Sequence, residues 1–140
     1  MPDIVIRGGT VIDGTGRPQR TADIAIDGDR ITAVGSGISR GDREINAAGA
    51  LVMPGWVDVH THYDGQVTWD PYLTPSSWHG VTTAVFGNCG VGFAPVNNGT
   101  EDYLINLMEG VEDIPEAVMR AGLPWSWSSF REYLDTLAAR

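Results

Sequence analysis

The order of residues predicts an α/β fold in two parts, and three observations carry that reading. Short apolar runs separated by glycine-containing turns fill the first fifty residues. Two β-branched runs, one ending at His62 and one running from Gly80 to Phe86, lie a crossover connection apart. From Thr100 onward the apolar residues recur at helical spacing. Strand, crossover, strand and helices in that order is how a parallel α/β barrel begins. A whole barrel takes about 250 residues and this chain has 140, so the chain is expected to be the N-terminal piece of a longer protein. The two parts are expected at residues 1–53 and 54–140.

The elements follow in order. Ile4, Val5 and Ile6 run into Gly8-Gly9, and Val11-Ile12 into Asp13-Gly14, which reads as short strands with turns between them. Ile24 and Ile26 alternate with Ala25, and Asp27-Gly28 then turns the chain into Ile31 and Val34 as a hairpin. The Gly- and Ser-rich stretch from Gly35 to Arg43 is an expected exposed loop. The two runs between residues 51 and 90 are expected to be buried parallel strands joined by a turn and a short helix. Thr100 is placed to cap a helix with Tyr103, Leu104, Leu107 and Met108 on one face and Gly110 at its end. Pro115 suits the first turn of a second helix closed by Gly122 and Pro124. Ser129 and Glu132 form a capping-box pattern before Phe130, Tyr133, Leu134 and Leu137, a helix with no following strand to pack beside.

Composition narrows the function classes. Hydrophobic residues at 42% and charged ones at 19% are globular proportions rather than those of a disordered chain. A net charge of -9 argues against a nucleic-acid partner, which needs clustered cations facing phosphates. Every basic residue is arginine, so no lysine of this segment can form a Schiff base or a carbamylated metal bridge. No apolar run approaches the roughly 20 residues that cross a bilayer, and the N-terminus has no signal-peptide pattern. The expectation is a cytoplasmic protein with no membrane partner, and a single cysteine, Cys89, agrees with a reducing compartment.

The strongest chemical signal is Pro54-Gly55-Trp56-Val57-Asp58-Val59-His60-Thr61-His62. Side chains two apart on a strand point to the same side, so His60 and His62 offer two imidazoles to one space. They are either half a metal site or a pair of satisfied histidines at a strand end. Cys89 follows the second run in Gly87-Asn88-Cys89-Gly90 and is either a soft metal ligand or a buried thiol that packs as a small hydrophobe. The glycines around it match neither a P-loop nor a dinucleotide fingerprint. Asp58 faces the same side as His60, to accept an imidazole N–H or to act as a polar structural group. Asp64 reads as a loop residue within reach of metal or substrate, or as an exposed turn aspartate. His79 precedes the second run, at the far end from these groups, and reads as structural. Trp125, Trp127 and Phe130 read as core rather than as a substrate wall.

The opening Asp3-Ile-Val-Ile-Arg-Gly-Gly-Thr-Val-Ile-Asp-Gly-Thr-Gly16, the hairpin Ile26-Asp-Gly-Asp-Arg-Ile31 and Pro54-Gly-Trp-Val-Asp-Val-His-Thr-His62 together resemble the amidohydrolase superfamily. Gly80-Val-Thr-Thr83, Gly87-Asn-Cys-Gly90 and Ala94-Pro95 resemble its D-aminoacylase branch, the N-acyl-D-amino-acid deacylases. The resemblance implies a (β/α)8 TIM barrel beside a small β-sandwich. Residues 1–53 would be part of that composite sandwich, and residues 54–140 the incomplete start of the barrel. It also implies zinc, one or two divalent ions in the complete enzyme, with His60, His62 and Cys89 as ligands. Such an ion acidifies water and polarises an amide carbonyl. The implied substrate is a small N-acyl amino acid. Two further histidine ligands and the catalytic aspartate of the family have no counterpart here and are expected beyond residue 140.

Two other functions remain open on these residues. Hydantoinase-like or dihydroorotase-like enzymes hydrolyse cyclic amides and use a carbamylated lysine from a later strand, which a cysteine ligand argues against. A non-catalytic truncated module is the other reading, because His60, His62 and Cys89 alone supply a partial site and no base. For the 140 residues alone the expectation is weak or absent metal and no turnover. The oligomeric state is not legible.

Overall fold

The computed structural model describes all of residues 1–140 and is mixed α/β. It divides into two compact units, Met1–Pro54 and Gly55–Arg140. No helix is long and apolar enough to cross a membrane.

In the first unit β1 (Ile4–Val11) is central to a five-stranded sheet. β2 (Arg20–Asp27) pairs antiparallel along one side of it, and β3 (Arg30–Gly35) pairs antiparallel with β2. β4 (Arg43–Asn46) and β5 (Leu51–Val52) run parallel to β1 in succession, against Ile4–Arg7 and Thr10–Val11. The Asp27-Gly28 hairpin forms as expected, with Asp27 opposite Arg30 and Gly28 at φ 57°. Gly8-Gly9 is not a turn between two strands. The strand continues through it with a register shift between Ile6 and Gly9, so the glycines make a bulge. Gly8 takes φ 65°, and a Cβ on Gly9 would collide with the Val52 side chain.

The bulge is fastened by charge. The Gly8 N–H, displaced from the ladder, donates to Asp23 Oδ1 at 2.9 Å, while Arg7 donates to Asp23 at 2.8 Å and to Glu44 at 2.6 Å. The Gly8 N–H first, and then Arg7, hold the Asp23 carboxyl below its ordinary pKa. A lowered folded-state pKa gives stability that is present above the unfolded carboxylate pKa and is lost as pH falls through the folded one. Urea midpoints followed by circular dichroism should therefore drop as pH falls below about 4, and Asp23→Asn should flatten that drop. One face of this sheet stays open: Ile6, Val11, Ile24, Ile26 and Val34 line an apolar groove of about 290 Å³, and Ile31 is 66% exposed.

In the second unit β6 (Trp56–Thr61) and β7 (Val81–Phe86) pair in parallel. Their connection contains turns and two short 3₁₀ helices, Gln66–Thr68 and Ser76–His79, in keeping with the expected turn and short helix. The expectation of buried strands is also corrected, because Val57 and Val59 are 59% and 64% exposed. The three helices pack elsewhere and leave much of the strand pair exposed, with Phe86 alone of its residues packed against the core. The core instead gathers Phe93, Val96, Ile105, Met108, Met119, Leu123, Trp127 and Tyr133.

Helix α1 (Glu101–Glu112) departs from expectation in three ways. Thr100 stands at its start but donates its hydroxyl to Asn97 O at 2.7 Å instead of capping. The buried face centres on Ile105 and Met108, with Tyr103 68% exposed. Gly110 does not end it; the helix runs on to Glu112 and stops where Asp113 turns left-handed at φ 54°. Helix α2 (Glu116–Gly122) starts after Pro115 and closes at Gly122 as expected. Helix α3 (Phe130–Ala138) carries the capping box of Ser129 and Glu132, both halves of it formed. Of its apolar face only Tyr133 is fully buried, and Phe130 and Leu134 are 55% and 48% exposed. Ser129→Ala should cost about 1 kcal/mol, measured as a shift of the urea midpoint at constant m-value.

Candidate metal centre

Parallel pairing brings the C-terminal ends of β6 and β7 together, with Thr61 opposite Phe86. Thr61 strengthens that junction by donating its buried hydroxyl to Val85 O at 3.1 Å. The loops that leave both strands therefore start side by side, and they carry the groups singled out above.

His60 lies in β6 and His62 just beyond it, with ring centroids 5.5 Å apart, on one side as the strand period requires. Past Phe86 the chain makes a tight turn: Gly87 and Gly90 have φ 77° and 86°, and the Gly90 N–H donates to Gly87 O at 3.1 Å. Only residues without a Cβ take those two angles without strain. Asn88 anchors the turn by donating its amide to Val59 O at 2.6 Å. Cys89 is thereby returned over the end of β6, its Sγ 3.7 Å from His62 Nε2 and 4.0 Å from His62 Nδ1. One donor atom from each of His60, His62 and Cys89 lies within 4.8 Å of the others.

This donor set fits a borderline-soft divalent ion such as zinc, which takes imidazole nitrogen and thiolate sulfur together. The Val91 N–H donates to Cys89 Sγ at 3.4 Å, which fixes the direction of the sulfur. Cys89 is exposed, so it is not the buried thiol of the packing alternative.

Of the two aspartates, Asp58 takes its structural alternative and Asp64 is placed differently from expectation. Asp58 accepts the backbone N–H of His60 at 3.2 Å, and no imidazole N–H, so it steadies the strand end. Asp64 is not an exposed turn residue; it is 4% exposed. Its Oδ2 accepts the Phe93 N–H at 2.7 Å, and its backbone carbonyl accepts the Tyr133 hydroxyl at 2.7 Å. Asp64 Oδ1 is buried with no partner, and burial pushes the carboxyl pKa up. Asp64 thus ties the segment after the histidines to the segment after Cys89, and both to α3. His79 is exposed at the start of β7, away from the cluster. Trp127 is core, donating Nε1–H to Phe93 O at 2.7 Å, and Trp125 packs edge-on against Phe93.

One residue went unnoticed in the sequence. Glu112, at the last position of α1, brings Oε1 to 3.0 Å from His62 Nε2. A helix ending at Gly110 leaves Glu112 in a loop. The signal that would have found it is Asp113 followed by Pro115, because a residue tolerant of the left-handed region and a proline two positions on commonly mark a helix end. A cleft of about 300 Å³ opens here, lined by Asp58, His60, His62, Tyr63, Gln66 and Glu112 among others.

Residues 43–140 match the amidohydrolase family. The chain is 34% identical to the D-aminoacylase of Alcaligenes xylosoxydans xylosoxydans, an alignment covering 98% of this chain and 26% of that protein. Among solved structures, a D-aminoacylase described as having a binuclear metal centre superposes with a TM-score of 0.78 at 38% identity, over 98% of this chain and 27% of that one. The N-acyl-D-glutamate deacylase of Bordetella bronchiseptica, solved with zinc and a phosphonate mimic of the tetrahedral intermediate, superposes with a TM-score of 0.74 at 33% identity. That match covers 99% of this chain and 27% of the deacylase. The chain thus spans about a quarter of the length of the relatives it matches.

Proposed function

Because the chain belongs to the amidohydrolase family, we propose that it is the segment of a zinc-dependent N-acyl-D-amino-acid deacylase that carries His60, His62 and Cys89 as metal ligands. The observation that carries this reading is the convergence of their three donor atoms within 4.8 Å at the ends of two parallel strands. In a barrel, the C-terminal ends of the strands are where catalytic groups gather. When bound, the divalent ion supplies a Lewis acid for an amide carbonyl and lowers the pKa of water.

The chain's own residues do the holding. The glycine turn and Asn88 set Cys89 over the end of β6, and Asp64 and Tyr133 fix where the chain goes after His62. The free edges of the β6–β7 pair are the places for further barrel strands, and the open apolar face of the first unit is the place for the rest of a β-sandwich. The catalytic aspartate and the remaining histidine ligands belong to those later strands. The 140 residues alone should therefore not turn over substrate.

The test replaces the matching segment of the Alcaligenes D-aminoacylase with these 140 residues and assays release of free amino acid from N-acyl-D-amino acids. The expected result is zinc-dependent hydrolysis that Cys89→Ala abolishes. A folded, zinc-loaded chimera that opens hydantoins and leaves N-acyl-D-amino acids intact would favour a cyclic-amide hydrolase instead. A folded chimera that binds no metal would leave a non-catalytic module.

A further inference from the structure

Resting on the reading of His60, His62 and Cys89 as metal ligands, we propose that Asp64 is a positioning residue of that site, whose side chain holds the loop of Cys89 so that the sulfur stands against the imidazoles. The ladder between β6 and β7 ends at the pair Thr61 and Phe86, and past it the two loops are held together by side chains. One tie lies just before the cysteine, where Asn88 donates to Val59 O at 2.6 Å. The other lies after it, where Asp64 Oδ2 accepts the Phe93 N–H at 2.7 Å. A turn fastened at one end swings about that end; fastened at both, it keeps Cys89 in one place. Between the two ties the Val91 N–H, 3.4 Å from Sγ, directs the sulfur.

Asp64 serves as the second anchor because both ends of its bond are themselves fixed. Asp64 is buried, and its carbonyl accepts the Tyr133 hydroxyl at 2.7 Å. Phe93 is 1% exposed, and its own carbonyl accepts the Trp127 Nε1–H at 2.7 Å. The two loops meet here with almost no room to spare: a Cβ on Gly65 would collide with the Phe93 ring, and one on Gly92 would crowd Asp64 Oδ2. Stability alone does not account for the group, because Asp64 Oδ1 is buried without a partner, an arrangement that costs free energy. What the side chain provides is a short bond between the loops, two residues from His62 on one side and four from Cys89 on the other.

The experiment loads the reduced 140-residue chain with cobalt, which stands in for zinc and gives a thiolate-to-metal charge-transfer absorption only when sulfur is bound. Wild type, Asp64→Ala, Asp64→Leu, Asp64→Asn and Cys89→Ala are compared for that band and for the zinc dissociation constant. Tryptophan fluorescence of the metal-free proteins reports folding. Leucine has the outline of aspartate without an acceptor, so it keeps the space filled should alanine unfold the chain. Asparagine keeps an oxygen for the Phe93 N–H. Loss of an outer partner of a metal site costs about 10- to 100-fold in affinity. Alanine and leucine should weaken zinc binding by that factor and lose most of the band, while asparagine retains both. A folded Asp64→Leu protein with the wild-type band and zinc affinity would overturn the proposal, as would asparagine falling as far as leucine. Wild type saturated with cobalt and lacking the band, or Cys89→Ala retaining it, would instead overturn the underlying site.

Discussion

Cys89→Ala should weaken zinc binding by more than about 100-fold, because it removes a ligand where loss of a mere supporting partner already costs 10- to 100-fold. The sulfur is the one donor in the cluster that lies on neither β6 nor its immediate extension. It reaches the histidines only because Gly87 and Gly90 accept left-handed backbone and Asn88 pins the turn to Val59 O. The substitution leaves that backbone intact, since Cys89 is exposed and its side chain fills no core space. Zinc affinity should collapse while the urea midpoint of the metal-free chain stays within about 0.5 kcal/mol of wild type, as for other exposed substitutions. A parallel fall in metal-free stability would mean the thiol is packing rather than ligating.

Tyr133→Ala should destabilise the second unit by about 3 to 5 kcal/mol, the range for removing a large buried aromatic side chain. Tyr133 is 2% exposed and stacks edge-on with Trp127 at 5.0 Å. Its hydroxyl donates to Asp64 O, and burial pushes its pKa up so that it stays protonated as that donor. Tyr133→Phe keeps the ring and orphans the carbonyl, and should cost about 1 to 3 kcal/mol. Tryptophan fluorescence during urea unfolding follows this unit selectively, because all five tryptophans lie beyond Pro54. The same variants should weaken zinc binding, since Asp64 stands two residues after His62 and loses its tie to α3.

What was legible in the sequence was chemistry settled by near neighbours in the chain. The Ser129–Glu132 capping box, the Asp27-Gly28 hairpin and the same-side placement of His60 and His62 each depend on a few consecutive residues, and each appears in the structure. Contacts between distant residues decided the rest. Gly8-Gly9 looks like a turn until Asp23, on another strand, takes up the amide that the bulge releases. Asp64 looks like a solvated turn residue until Phe93 and Tyr133 close over it. Gly110 weakens a helix locally, but Ile105 and Met108 bury the helix face and carry it two residues further. That extension is what delivers Glu112 to His62.

X-ray absorption at the zinc edge of the reduced, zinc-loaded 140-residue chain asks whether a thiolate and two imidazoles from the ends of two parallel strands hold one divalent ion. The expected spectrum has one sulfur neighbour at about 2.3 Å together with nitrogen and oxygen neighbours at about 2.0 to 2.2 Å, with imidazole scattering. A zinc ion surrounded by oxygen and nitrogen alone, with no sulfur, would contradict it.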